Sequence, residues 1–132
     1  MILVKLGVLI GCFLAVGAVQ AQDRILLSQA DAQISPSFCQ AYGSLSQKIM
    51  QFRQEGVSRE QNARALSVVL DETFAPEEVE ERAFTEHAMV VALRRAYSEP
   101  QASESQWSAT ARAFGQRQLA QCQGELAERN SY

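Results

Sequence analysis

The chain has 132 residues, and its first 21 read as a removable leader, which leaves 111 for one small domain. Without the leader the balance is 11 basic against 15 acidic residues, a formal net charge of −4, and Lys48 is the sole remaining lysine. That balance argues against a nucleic-acid-binding face and a polybasic membrane patch, and the length excludes a second domain.

Residues Met1 to Val4 precede one positive charge, Lys5, and an apolar run from Leu6 to Val19; Val19-Gln20-Ala21 then has the small residues of a cleavage site. This order predicts a secretory signal peptide over 1–21, cut after Ala21. The apolar run is 14 residues. As a helix it would measure about 21 Å against roughly 30 Å of hydrocarbon, short for a permanent anchor. Leu9-Ile10-Gly11-Cys12 keeps a second alternative open, a lipoprotein anchored through Cys12, although the apolar run continues past that cysteine. The expected location is periplasmic or secreted.

Residues 22–34 hold a weakly apolar patch, Ile25-Leu26-Leu27, in a polar setting without a period, and read as a flexible or loosely docked N-terminal arm. A helical domain is expected over 35–128, followed by a tail at 129–132.

Ser35-Pro36 opens the first helix: serine can accept from a free first-turn amide, and proline suits the first helical position. Phe38, Tyr42, Leu45, Ile49 and Phe52 then recur at intervals of four and three, one apolar stripe, and Gly56 supplies a left-handed stop. Ser58 to Gln61 matches a reciprocal capping box, starting a second helix with Ala63, Leu66, Val69, Leu70 and Phe74 inward and an end near Thr73.

Ala75-Pro76 restarts the chain into a third helix, with Glu77, Glu78, Glu80 and Glu81 in its first turns and Arg94 and Arg95 near its end, both matched to the helix dipole. Val79, Ala83, Phe84, Ala88, Val91 and Tyr97 are expected to face the core. Pro100 breaks the pattern, and Ser103 to Gln106 repeats the capping motif. The fourth helix carries Trp107, Ala111, Phe114, Leu119, Cys122 and Leu126, fraying near Gly124 or Glu128.

The predicted fold class is all-α: a small antiparallel four-helix bundle-like domain, since short connections make consecutive helices neighbours. In that arrangement the start of the first helix lies beside the end of the last, where Cys39 and Cys122 stand. An exported chain would pair them in a disulfide; two buried thiols are the alternative.

Catalytic chemistry finds little footing. His87 is the sole histidine, within the third helix, where a helix-face role is expected; metal-ligand spacing would put a glutamate at position 84, which is phenylalanine. The acids at 77–81 are accounted for by the helix start, and no phosphate-cradling glycine loop exists. No catalytic, metal or cofactor-binding residue is nominated, and no cofactor is implied. The candidate recognition patch is where the ends of the first and third helices meet, at Arg53, Gln54 and Tyr97.

Cys39, Arg53-Gln54-Glu55-Gly56, Ala96-Tyr97 with Pro100, Phe114 and Cys122 together resemble a pattern of small exported helical proteobacterial proteins with two cysteines, across roughly residues 38–123. That resemblance implies no activity, substrate or catalytic residue. The expectation is a non-enzymatic protein acting through an unknown protein partner, as inhibitors, immunity proteins and periplasmic helpers do. The alternative is a carrier enclosing a small apolar ligand among Phe84, Met89, Trp107 and Phe114.

Overall fold

The structure is a computed structural model that describes residues 23–27 and 34–131. The leader expected over 1–21, the cut expected after Ala21, and Cys12 lie outside the described residues. Four α-helices make up the described chain: α1 Pro36–Gln54, α2 Arg59–Thr73, α3 Val79–Ser98 and α4 Trp107–Asn130, with a 3-10 turn at Glu104–Gln106 before α4. None is long and apolar enough to cross a membrane.

Local chemistry sets three of the helix ends. Ser35 Oγ accepts from the Ser37 amide, with Pro36 at the first helical position of α1. Gly56, with φ of 88°, follows its end. The Ser58–Gln61 capping box is complete: Ser58 Oγ accepts from the Gln61 amide at 3.1 Å, and Gln61 Oε1 accepts from the Ser58 amide at 3.3 Å.

Two starts differ from expectation. Residues 75–78 form a separate turn, in which Glu78 Oε1 accepts from the Ala75 amide at 2.9 Å, so α3 begins at Val79. Glu77 and Glu78 therefore precede the helix, while Val79, 66% exposed, and Ala83 face solvent instead of the core. At Ser103 no capping bond forms. Trp107 Nε1 donates instead to the Ala102 carbonyl at 3.0 Å, and the chain enters α4 through the 3-10 turn. The far end of α4 continues through Gly124 and Glu128 to Asn130, past the expected fraying point.

Helix α1 is central. It packs most closely along α4, and its other flank meets α3; α2 leans on α3 and only lightly on α1. The pairing of α1 with α4 is antiparallel, since Cys39 meets Cys122 near one end and Gln54 meets Ala102 near the other. The two cysteines form a disulfide with their α-carbons 5.5 Å apart, which is compatible with an oxidising compartment. Phe114, Ile49, Met50, Val91 and the disulfide itself occupy the fully buried centre.

Within the expected N-terminal arm, residues 23–27 lie against the helices. Ile25 is 0% and Leu26 5% exposed, and both belong to the main core cluster. Their amides donate to the Glu125 carboxylate of α4, at 3.2 Å each. No local period announces such a segment, because its partners lie about 100 residues away along the chain.

Candidate functional site

The sequence-nominated trio Arg53, Gln54 and Tyr97 does come together at one pole, where the ends of α1 and α3 meet the 99–103 connection. The Arg53 guanidinium carbon lies 5.3 Å from the centre of the Tyr97 ring, and its Nη2 donates to the Glu99 carbonyl at 3.4 Å. Gln54 is fully buried: Oε1 accepts from the Ala102 amide at 2.7 Å, and Nε2 donates to the Pro100 carbonyl at 3.5 Å. Gln101 answers by donating to the carbonyls of Arg53 and Gln54 at the end of α1. Tyr97 donates to the Val57 carbonyl at 2.6 Å and accepts from Asn62 Nδ2 at 3.2 Å. Asn62, itself buried, also donates to the Ile49 carbonyl at 3.1 Å.

This pole is a clasp that fastens two connections to two helix ends. Gln54 has no surface to offer a partner, and the face left there belongs to the half-buried Arg53 and Tyr97. Asn62 is the member that sequence inspection passed over; its polarity on the inward side of α2, one residue before Ala63, was the available signal.

A second feature is an apolar cleft between α1, α2 and α3. Its volume is about 320 Å³, and its lining includes Phe38, Tyr42 and Leu45 of α1, Val69 and Leu70 of α2, Phe74 beyond it, and Ala88 and Met89 of α3. Ala41, Val69 and Thr73 along its rim are exposed, so it opens to solvent there. A second hollow of about 340 Å³ shares Phe38, Ala41, Phe74 and Thr85 and extends the cleft toward Ile34 and Phe84. The tilted Phe38–Phe84 pair, 5.2 Å between ring centres, stands within this extension.

The cleft exists because α2 is narrowly attached. Its predicted inward residue Val69 is 41% exposed, while Leu66 and Leu70 carry the packing. Polar groups around the lining are already engaged. Thr73 Oγ1 donates to the Val69 carbonyl at 2.6 Å and Thr85 Oγ1 to the Glu81 carbonyl at 2.9 Å. Tyr42 directs its hydroxyl to Gln118 Oε1 of α4, at 3.1 Å. Burial pushes that phenol up to about 12, with the Arg95 charge pulling the other way. The cleft therefore offers apolar contact and no directed polar group.

Of the four residues suggested for ligand lining, Met89 lines the cleft and Phe84 its extension. Phe114 is sealed in the core, and Trp107 sits at the 102–107 turn. His87 is partly buried on the face of α3, as expected, with Nε2 3.0 Å from the Arg24 carbonyl. Among the described residues no cluster of three or more His, Cys, Asp or Glu is placed to hold a metal ion.

No protein-family model, no curated protein and no solved structure matches this chain.

Proposed function

We propose that this chain is an exported, non-enzymatic, four-helix bundle-like protein, periplasmic or secreted after removal of residues 1–21, which acts by receiving an apolar anchor from a protein partner. The observation that carries this reading is the α1–α2–α3 cleft, about 320 Å³, open along Ala41, Val69 and Thr73. Binding energy at protein interfaces concentrates where one or two large side chains fill such a pocket. An open trough without directing polar groups suits a side chain delivered by a larger partner better than a free small molecule, which needs most of its surface enclosed. The disulfide fits the oxidising space that export provides.

A photo-crosslinking residue at Val69, on the cleft rim, should trap one discrete partner in intact cells, whereas the same group at Arg64 of α2, outside the lining, should not. Equal labelling from both positions, or none from Val69, would refute the reading. Cleft volume supports one second reading, carriage of a small apolar ligand, because it falls at the lower end of the roughly 300–1,000 Å³ range of ligand pockets. In that case native mass spectrometry of the purified chain shows a bound molecule that Ala88→Leu, which fills the cleft, expels.

A further inference from the structure

Residues 23–27 lie against α3 and α4 without helix or strand of their own, and the polar contacts shown for their main chain come from side chains of those two helices. The Glu125 carboxylate receives the amides of Ile25 and Leu26. Arg95 donates to the Asp23 carbonyl, His87 Nε2 lies 3.0 Å from the Arg24 carbonyl, and Arg129 donates to the Leu27 carbonyl at 3.0 Å. An acid thus stands where the segment presents donors, and cations or a ring nitrogen stand where it presents acceptors. Two further features read side chains: Arg94 pairs with the Asp23 carboxylate at 2.9 Å, and Ile25 and Leu26 are buried.

We propose that this α3–α4 face is a peptide-recognition site, filled in cis by residues 23–27 and able to take in trans a partner peptide of the pattern Asp-x-aliphatic-aliphatic. Main-chain pairing with pockets for chosen side chains is how peptide-binding surfaces combine affinity with selectivity. Two of the receiving groups, Arg95 and Glu125, are also held by side chains of α4. Arg95 also donates to Gln118 and Gln121 of α4, at 2.8 and 2.7 Å, and Gln121 donates to Glu125 at 3.4 Å. A site positioned before its ligand arrives loses less freedom on binding. It uses His87, Arg94 and Arg95 of α3, whereas the apolar cleft uses Thr85, Ala88 and Met89, so the two can fail separately.

The test uses the mature chain carrying Ile25→Ser with Leu26→Ser, which empties the site, and a fluorescent peptide spanning residues 22–27. Saturable binding to this variant is expected, with affinity for the unmutated chain weaker by roughly tenfold or more because its site is occupied. Adding Glu125→Ala to the variant should cost a further factor of roughly ten or more. Absence of binding by a variant that keeps its helicity and disulfide overturns the proposal, as does binding that Glu125→Ala leaves unchanged. Should the double variant not fold, hydrogen exchange on the unmutated chain decides. Ile25 and Leu26 amides that exchange ahead of the α4 core support a displaceable segment, and amides that open only together with that core overturn it.

Discussion

Gly43 and Gly115 oppose each other where α1 crosses α4, so closely that neither position has room for a β-carbon. One built on Gly43 would stand 2.9 Å from the Leu119 Cβ; one on Gly115 would stand 2.8 Å from the Gln47 Cβ and 2.9 Å from the Gly43 carbonyl oxygen. This close approach lies one to two helical turns from the Cys39–Cys122 bridge, so the disulfide and the glycine contact secure the same helix pair.

Gly115→Ala should therefore destabilise the chain by about 1–3 kcal/mol, the usual range for overpacking, despite alanine's better helix propensity. Gly124 lies in the same helix with open space around it. Gly124→Ala should stabilise by up to about 1 kcal/mol. Chemical denaturation of the two variants checks both signs; a stabilised Gly115→Ala would mean that α1 and α4 stand farther apart.

Closing a loop across 83 residues restricts the unfolded chain by roughly 4.5 kcal/mol in the loop-entropy description. Replacing Cys39 and Cys122 together by alanine should cost about 2–5 kcal/mol, with a lower unfolding midpoint that reductant does not change further. For a domain whose whole stability is about 5–15 kcal/mol, a loss of that size makes the fold depend on the oxidised bridge.

Gln54 carries the polar clasp from inside the protein. Gln54→Leu removes the acceptor of the Ala102 amide and the donor to the Pro100 carbonyl while keeping an apolar body. The expected loss is about 1–2 kcal/mol, from part-buried main-chain groups left unpaired. Tyr97→Phe should cost less, about 1 kcal/mol, because Asn62 retains its bond to the Ile49 carbonyl. Thermal melts of the two variants give the ranking.

Tyr42 ties stability to alkaline pH. Its phenol titrates near 10 when unfolded and at about 12 in the folded chain, because burial disfavours the phenolate. The folded state thus holds its proton more tightly; this contribution is complete below about pH 10 and disappears as pH rises through about 12. A gap of this size corresponds to roughly 3 kcal/mol. Tyr42→Phe, which lacks the ionisation but also the bond to Gln118, should be less stable by about 1 kcal/mol at neutral pH. It should overtake the unmutated chain before pH 12, and parallel denaturation midpoints across that range would show a phenol that titrates normally.

Where structure follows from neighbours in sequence, the chain was readable. Ser35-Pro36, the Ser58–Gln61 box and Gly56 determine their helix ends because a capping bond or a left-handed residue needs only three or four positions to act. Phe38, Tyr42 and Ile49 share a face for the same reason. The pairing of Cys39 with Cys122 was also legible, since alternating helix directions bring those two ends together.

Tertiary contacts decided the rest. Even before tertiary contacts enter, one local motif yields to another: Ser103 has the residues of a capping box, yet Trp107 takes the Ala102 carbonyl five residues back. Gln54 reads as a polar surface residue and is sealed by a connection nearly 50 residues downstream. Val69 has the spacing of a core residue but lies on the rim of the cleft, because α2 rests on α3 along a narrower stripe than its own pattern allows. Ile25 and Leu26 have no periodic neighbours, and Glu125 gives them a place in the core. The chain by itself determined its helices and its staple, because both obey short-range geometry and simple alternation. Which side chains are covered, and which apolar surface stays open, depended on how far apart the packed helices stand, and no stretch of local sequence carries that distance.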